Sequence, residues 1–146
     1  MSKKIAFFGV GFGFLLTLIT IIFFANNIYV PDSSTYYEPA RALSQKFAFL
    51  KNPTSDEYMF FRTPGYPLFL AFLYSIVDSD SFVIFVQYIL FLATSWIVYK
   101  IAFEIFNNKK IAQIAFVISL FDFARLYFVQ VIATETFFTF VLTVAI

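Results

Sequence analysis

The sequence predicts an all-α, polytopic transmembrane bundle, and three observations carry that expectation. Apolar residues make up 61% of the chain and charged residues 13%, too few polar groups to cover a fold dissolved in water. The mean hydropathy is strongly positive. The apolar residues also gather into runs of membrane-spanning length, separated by short charged or turn-rich stretches. Cysteine and histidine are both absent, which removes disulfides, thiolate and imidazole chemistry and the commonest zinc ligands. A net charge of +1 without a Lys/Arg-rich run argues against a nucleic-acid partner.

The first span is Ile5–Ala25, 21 residues without a charge, preceded by Lys3 and Lys4. At 1.5 Å per residue such a run crosses roughly 30 Å of hydrocarbon. It lacks a small-residue cleavage site, so it reads as a retained helix rather than a signal peptide. Residues 81–106 form the second span, with Lys100 and Glu104 near its end as a solvated pair. Asn107-Asn108-Lys109-Lys110 makes a polar turn, 111–128 a third span carrying Asp122 and Arg125, and 136–146 the start of a fourth. The chain thus reads as one membrane domain, 1–146, of about four spans.

Placing both lysine pairs on the cytoplasmic side requires an even number of crossings between them. The twelve apolar residues Tyr66–Val77 are too few to cross, so they are expected as a re-entrant or interfacial element. Residues 26–80 then form an external loop, with four cations against six anions for a net of −2. Within it Tyr36, Ala40, Leu43 and Phe47 recur at helical spacing, predicting an amphipathic helix with Pro39 in its first turn. Residues 51–56 read as a turn-rich connector.

Any chemistry must come from carboxylates, hydroxyls, Lys or Arg. Asp32 lies just beyond the outer end of the first span, where it could face a cavity at the membrane surface; its plain structural alternative is a turn or capping aspartate in Pro-Asp-Ser-Ser. Glu135 emerges on the same external face, with the alternative of an acid at the positive end of a helix dipole. Arg62 precedes the rigid Thr63-Pro64-Gly65-Tyr66-Pro67 turn, where its planar fork suits a phosphate or, more plainly, lipid headgroups, with Tyr66 in the aromatic belt. Asp122 and Arg125, at i and i+3, could neutralise each other.

Asp32, Tyr36, Ala40 and Leu43, followed by Arg62 to Pro67 and then Thr134-Glu135, resemble in order and spacing the pattern of GT-C membrane glycosyltransferases, in the branch of dolichyl-phosphate-mannose-protein mannosyltransferases and aminoarabinose transferases. The resemblance covers nearly the whole chain; Pro39 and the Asp122–Arg125 stretch depart from it. It implies a multi-pass membrane enzyme that moves a sugar from a polyprenyl-phosphate donor to a lipid, glycan or protein acceptor on the outer face; the short basic start, without a eukaryotic sorting signal, makes a bacterial or archaeal plasma membrane the expected location. Asp32 would be the general base and Glu135 the second catalytic carboxylate, with Arg62, Tyr36 and Tyr66 binding substrate. No nucleotide cofactor is implied, and a divalent metal is permitted. Because such enzymes have many more spans, the chain is expected to be an N-terminal portion that is inactive alone. The rival expectation is a non-catalytic accessory or transport subunit. A transporter, however, places ionisable residues near the bilayer midplane, and the central thirds of the first two spans have none.

Overall fold

A computed structural model of the protein describes residues 11, 15, 28–59 and 62–146. The expected first span, 5–25, therefore lies outside the described residues apart from Gly11 and Leu15, both helical. Among the described residues the fold is all-helical, with α1 Ser34–Lys46, α2 Gly65–Ile76, α3 Asp80–Phe106, α4 Lys109–Leu120, α5 Phe123–Phe128 and α6 Thr134–Val144. These elements divide into two compact units, one of residues 28–86 with 131–134 and one of 87–130 with 135–146.

In the first unit α1 packs against α2. Tyr66, Leu70 and Tyr74 recur every four residues on α2 and are buried together with Leu73, while Leu68, Phe72 and Ile76 on the opposite face are exposed. Each side chain of leucine size removed from water contributes ~1.5–3 kcal/mol to this packing. The twelve residues of α2 rise ~18 Å, short of the roughly 30 Å of a bilayer's hydrocarbon core. On α1, Tyr36, Pro39, Ala40 and Ala42 are buried. The expected stripe stops short of Phe47, which ends the helix in the left-handed region at φ 55° and is 91% exposed. Pro39 also sits deeper than expected, in the second turn rather than the first. The reason is that the helix begins earlier, with Tyr36 N and Tyr37 N both donating to the Ser33 carbonyl at 3.0 Å.

The connector closes on itself. Asn52 Oδ1 accepts from Thr54 N at 3.0 Å, and Lys51 N donates to the Glu57 carbonyl at 2.8 Å beside an isolated bridge between Leu50 and Tyr58. Segment 131–134 joins the unit through Ile132, whose N–H donates to the Ile28 carbonyl at 2.9 Å.

The long helix α3, of 27 residues, rises roughly 40 Å and is long and apolar enough to cross a membrane; α2 and α6 are shorter apolar helices. In the second unit Asn108 caps α4 as its composition suggests, its side chain accepting from Lys110 N at 2.9 Å. The segment 111–128, expected as one span, is instead two helices. Asp122 takes an extended conformation and its carboxylate accepts from Ala124 N and Arg125 N at 3.1 and 3.3 Å, starting α5 afresh. Small polar residues seam α3 to α4: Ser119 Oγ donates to Ser95 Oγ at 3.1 Å, and Ser95 Oγ in turn to the Phe91 carbonyl at 3.0 Å. Such hydroxyls let helices approach closely where no water is available to satisfy them. The fully buried Gln87 donates to the Val129 carbonyl at 3.0 Å. Helix α6 begins two residues before the expected 136 and spans eleven residues.

Candidate functional site

Four of the five residues singled out by the sequence meet in the first unit. Asp32 lies in the turn that leads into α1, and what fixes that turn is the next residue. Ser33 is fully buried; its Oγ accepts from Val30 N at 2.9 Å and donates to the Ile132 carbonyl at 2.8 Å. The Asp32 carbonyl accepts from both Thr35 N and Thr35 Oγ1, at 3.1 and 2.7 Å. With backbone and neighbours so committed, the Asp32 carboxylate stands 64% exposed and pairs with Arg62 Nη2 at 2.9 Å. It does not cap α1, whose N-cap makes no side-chain bond.

Arg62 is the better-anchored partner. Its Nε donates to Thr35 Oγ1 at 3.1 Å and its guanidinium lies over the Tyr36 ring at 5.0 Å. Tyr36 packs edge-on against Tyr66 at 5.5 Å, and Tyr66 stacks on Phe69 at 6.1 Å. Gly65-Tyr66-Pro67 opens α2 as the Pro/Gly composition implies. The arrangement is a carboxylate open to solvent, beside a cation held in an aromatic cradle. Such a cation keeps its plane and charge while its outward N–H groups can change partner.

Glu135 belongs to the second unit, with different neighbours. It lies in the first turn of α6, as an acid near the positive end of a helix should, and is exposed. With Arg125, Phe91, Phe128 and three threonines it lines a cleft of ≈ 200 Å³. Asp122 and Arg125, expected to neutralise each other, form no ion pair, although the Asp122 charge still acts on the guanidinium. The carboxylate is occupied by the α5 cap, and the guanidinium donates to the Ser119 hydroxyl and carbonyl and, at 3.3 Å, to the Phe91 carbonyl. Lys100 and Glu104 likewise line an open depression with Tyr99, Phe103 and Asn107 and form no ion pair with each other.

A second polar cluster in the first unit escaped the sequence reading. Asp80, at the start of α3, accepts from Arg41 Nη2 at 3.1 and 3.2 Å, from the Tyr74 hydroxyl at 2.7 Å and from the Tyr29 hydroxyl. The Arg41 guanidinium lies over the rings of Tyr74 and Tyr37 at 5.0 and 5.4 Å, and its Nε comes within 3.5 Å of Asp78. Burial, the hydrogen bond to Asp80 and that carboxylate's charge raise the Tyr29 pKa from 10.0 to about 12, and the same causes in the same order raise Tyr74. Arg41 falls off the Tyr36, Ala40, Leu43 stripe of α1. Its partners lie 39 residues away at Asp80, a separation that local periodicity does not report.

No protein-family model matches the chain, and comparison with characterised proteins and with solved structures finds no significant match.

Proposed function

We propose that the protein is a membrane glycosyltransferase of the GT-C type that uses a polyprenyl-phosphate sugar. The observation that supports this most is the meeting of Asp32, Tyr36, Arg62 and Tyr66, from two separate segments of the chain, around one exposed carboxylate. The long apolar α3 supports membrane insertion; the four-span, outward-facing topology belongs to the proposal.

In the proposed reaction Asp32 takes the proton of an acceptor hydroxyl or amine as that atom bonds to the anomeric carbon. The bond from this carbon to the phosphate oxygen breaks, the electron pair leaves with the polyprenyl phosphate, and the carbon inverts. Arg62 neutralises the departing phosphate. Its pairing with Asp32 is compatible with that role. An ion pair with one partner 64% exposed is worth only ~0–1 kcal/mol, so an arriving phosphate draws the guanidinium away at little cost and leaves the carboxylate available as a base. Tyr36 and Tyr66 keep the cradle rigid.

The test is Asp32→Asn in the protein as it occurs in its native membranes, with insertion checked by protease protection. Transfer from a radiolabelled polyprenyl-phosphate sugar should be abolished while insertion is unchanged. Near-normal transfer would remove Asp32 as the base, and absence of transfer in the unaltered protein would favour an accessory subunit.

A further inference from the structure

The cleft of the second unit has its own chemistry. Arg125 lies on its wall half-buried, and every acceptor its guanidinium meets is neutral: the Ser119 carbonyl at 3.2 Å, the Ser119 hydroxyl at 2.5 Å, the Phe91 carbonyl at 3.3 Å and the Phe91 ring at 4.8 Å. Among the described residues it joins no ion pair. A guanidinium carries five N–H donors, and these contacts engage at most three of them. Asp122 acts on it through space while its own carboxylate is held by the α5 cap, so the fork keeps donors to spare, and a planar fork of this kind matches the oxygens of a phosphate.

An acid lines the same cleft. Glu135 faces it from the first turn of α6, with Thr94, Thr136 and Thr139 beside it. A ligand complementary to both signs carries an anion and a cation a few bonds apart. At ≈ 200 Å³ the cleft falls below the ~300–1,000 Å³ typical of sites that enclose a whole drug-sized molecule, so it suits a headgroup rather than an entire lipid-linked sugar. In a chain with a membrane-length apolar helix, the molecules of this description are zwitterionic phospholipids. A primary ammonium has N–H donors to offer a carboxylate and threonine hydroxyls, whereas a quaternary ammonium has none.

We propose that this cleft binds a phosphoethanolamine headgroup, with its phosphate on Arg125 and its ammonium on Glu135. The site stands on the second unit alone and does not depend on sugar transfer, so its failure and that of the transferase proposal are separable.

The test is a native mass-spectrometric titration of the full chain in non-ionic detergent with short-chain phosphatidylethanolamine, phosphatidylglycerol, phosphatidylcholine and inorganic phosphate. Phosphatidylethanolamine should bind about tenfold tighter than either other lipid. Glu135→Gln should erase that preference while leaving phosphatidylglycerol binding unchanged, and Arg125→Gln should weaken all three lipids. Because Arg125 also tethers Ser119 and Phe91, Ala124→Phe provides a second variant. It fills the cleft from an exposed position, keeps both charges, and should lose phosphatidylethanolamine binding with helical circular dichroism retained. A preference that survives Glu135→Gln, binding that survives Ala124→Phe, or inorganic phosphate competing on equal terms would each overturn the assignment.

Discussion

Replacing Asp80 by alanine should destabilise the protein more than replacing its partner Arg41. Asp80 is the shared acceptor of Arg41, Tyr74 and Tyr29, so its loss strands two hydroxyls and leaves Arg41 with Asp78 as its remaining carboxylate, whereas Arg41→Met leaves Asp80 with both tyrosine hydroxyls. A charge-assisted hydrogen bond contributes ~1.5–3 kcal/mol and a stranded buried donor costs ~1–3 kcal/mol. The Asp80 and Arg41 side chains are 17% and 29% exposed, so water reaches part of the site and lowers the sum. Asp80→Ala is then expected to cost about 2–4 kcal/mol and Arg41→Met about 1–2 kcal/mol. The double variant should be less destabilised than the sum of the singles, because it no longer leaves the guanidinium without its acid. The assay is denaturant unfolding of the chain in detergent, followed by circular dichroism. A loss below ~0.5 kcal/mol for Asp80→Ala would place the cluster among ordinary surface pairs and refute its role in holding α1 and α2 to the start of α3.

Other expectations follow from the same geometry. Ser33→Ala should cost about 1–3 kcal/mol, since it removes the donor to Ile132 and the acceptor for Val30 in a fully buried position; denaturation midpoints check it. Asp122→Ala removes the α5 cap and should cost ~1 kcal/mol, whereas Asp122→Asn should cost much less. In a spectrophotometric titration, the difference between the unaltered chain and Tyr29→Phe should centre near pH 12 rather than 10. The sign for stability follows: the folded state holds the Tyr29 proton after the unfolded chain has lost it, so this contribution is complete below pH 10 and is lost as pH rises from 10 to 12.

The parts of the fold that the sequence made legible are those fixed by short-range chemistry. A long apolar run gave α3, Asn-Asn-Lys-Lys gave the turn that leads into α4, and Pro-Gly-Tyr-Pro gave the start of α2. The break at Asp122 was hidden because hydropathy averaged over a window dilutes a single capping carboxylate, although Asp two residues before Ala124 is a capping composition in its own right. Phe47 was placed on the buried face because its spacing fits, but a stripe cannot show that the chain leaves the helix there at positive φ. At the candidate site the separate residues were legible and their pairing was not. Arg62 was expected to await a phosphate, yet it already holds Asp32 and rests on Tyr36, a contact set by how α1 packs on α2. The Arg41–Asp80 cluster depends wholly on that tertiary closure.

The central claim is that Asp32 serves as the base for inverting transfer, and the stereochemistry of the product tests it most directly. Native membranes containing the protein would be supplied with a polyprenyl-phosphate sugar of known anomeric configuration, and the product analysed by nuclear magnetic resonance. An inverted anomeric centre that disappears in the Asp32→Asn variant is the expected result. Retention of configuration, or a product that forms equally without Asp32, would contradict it.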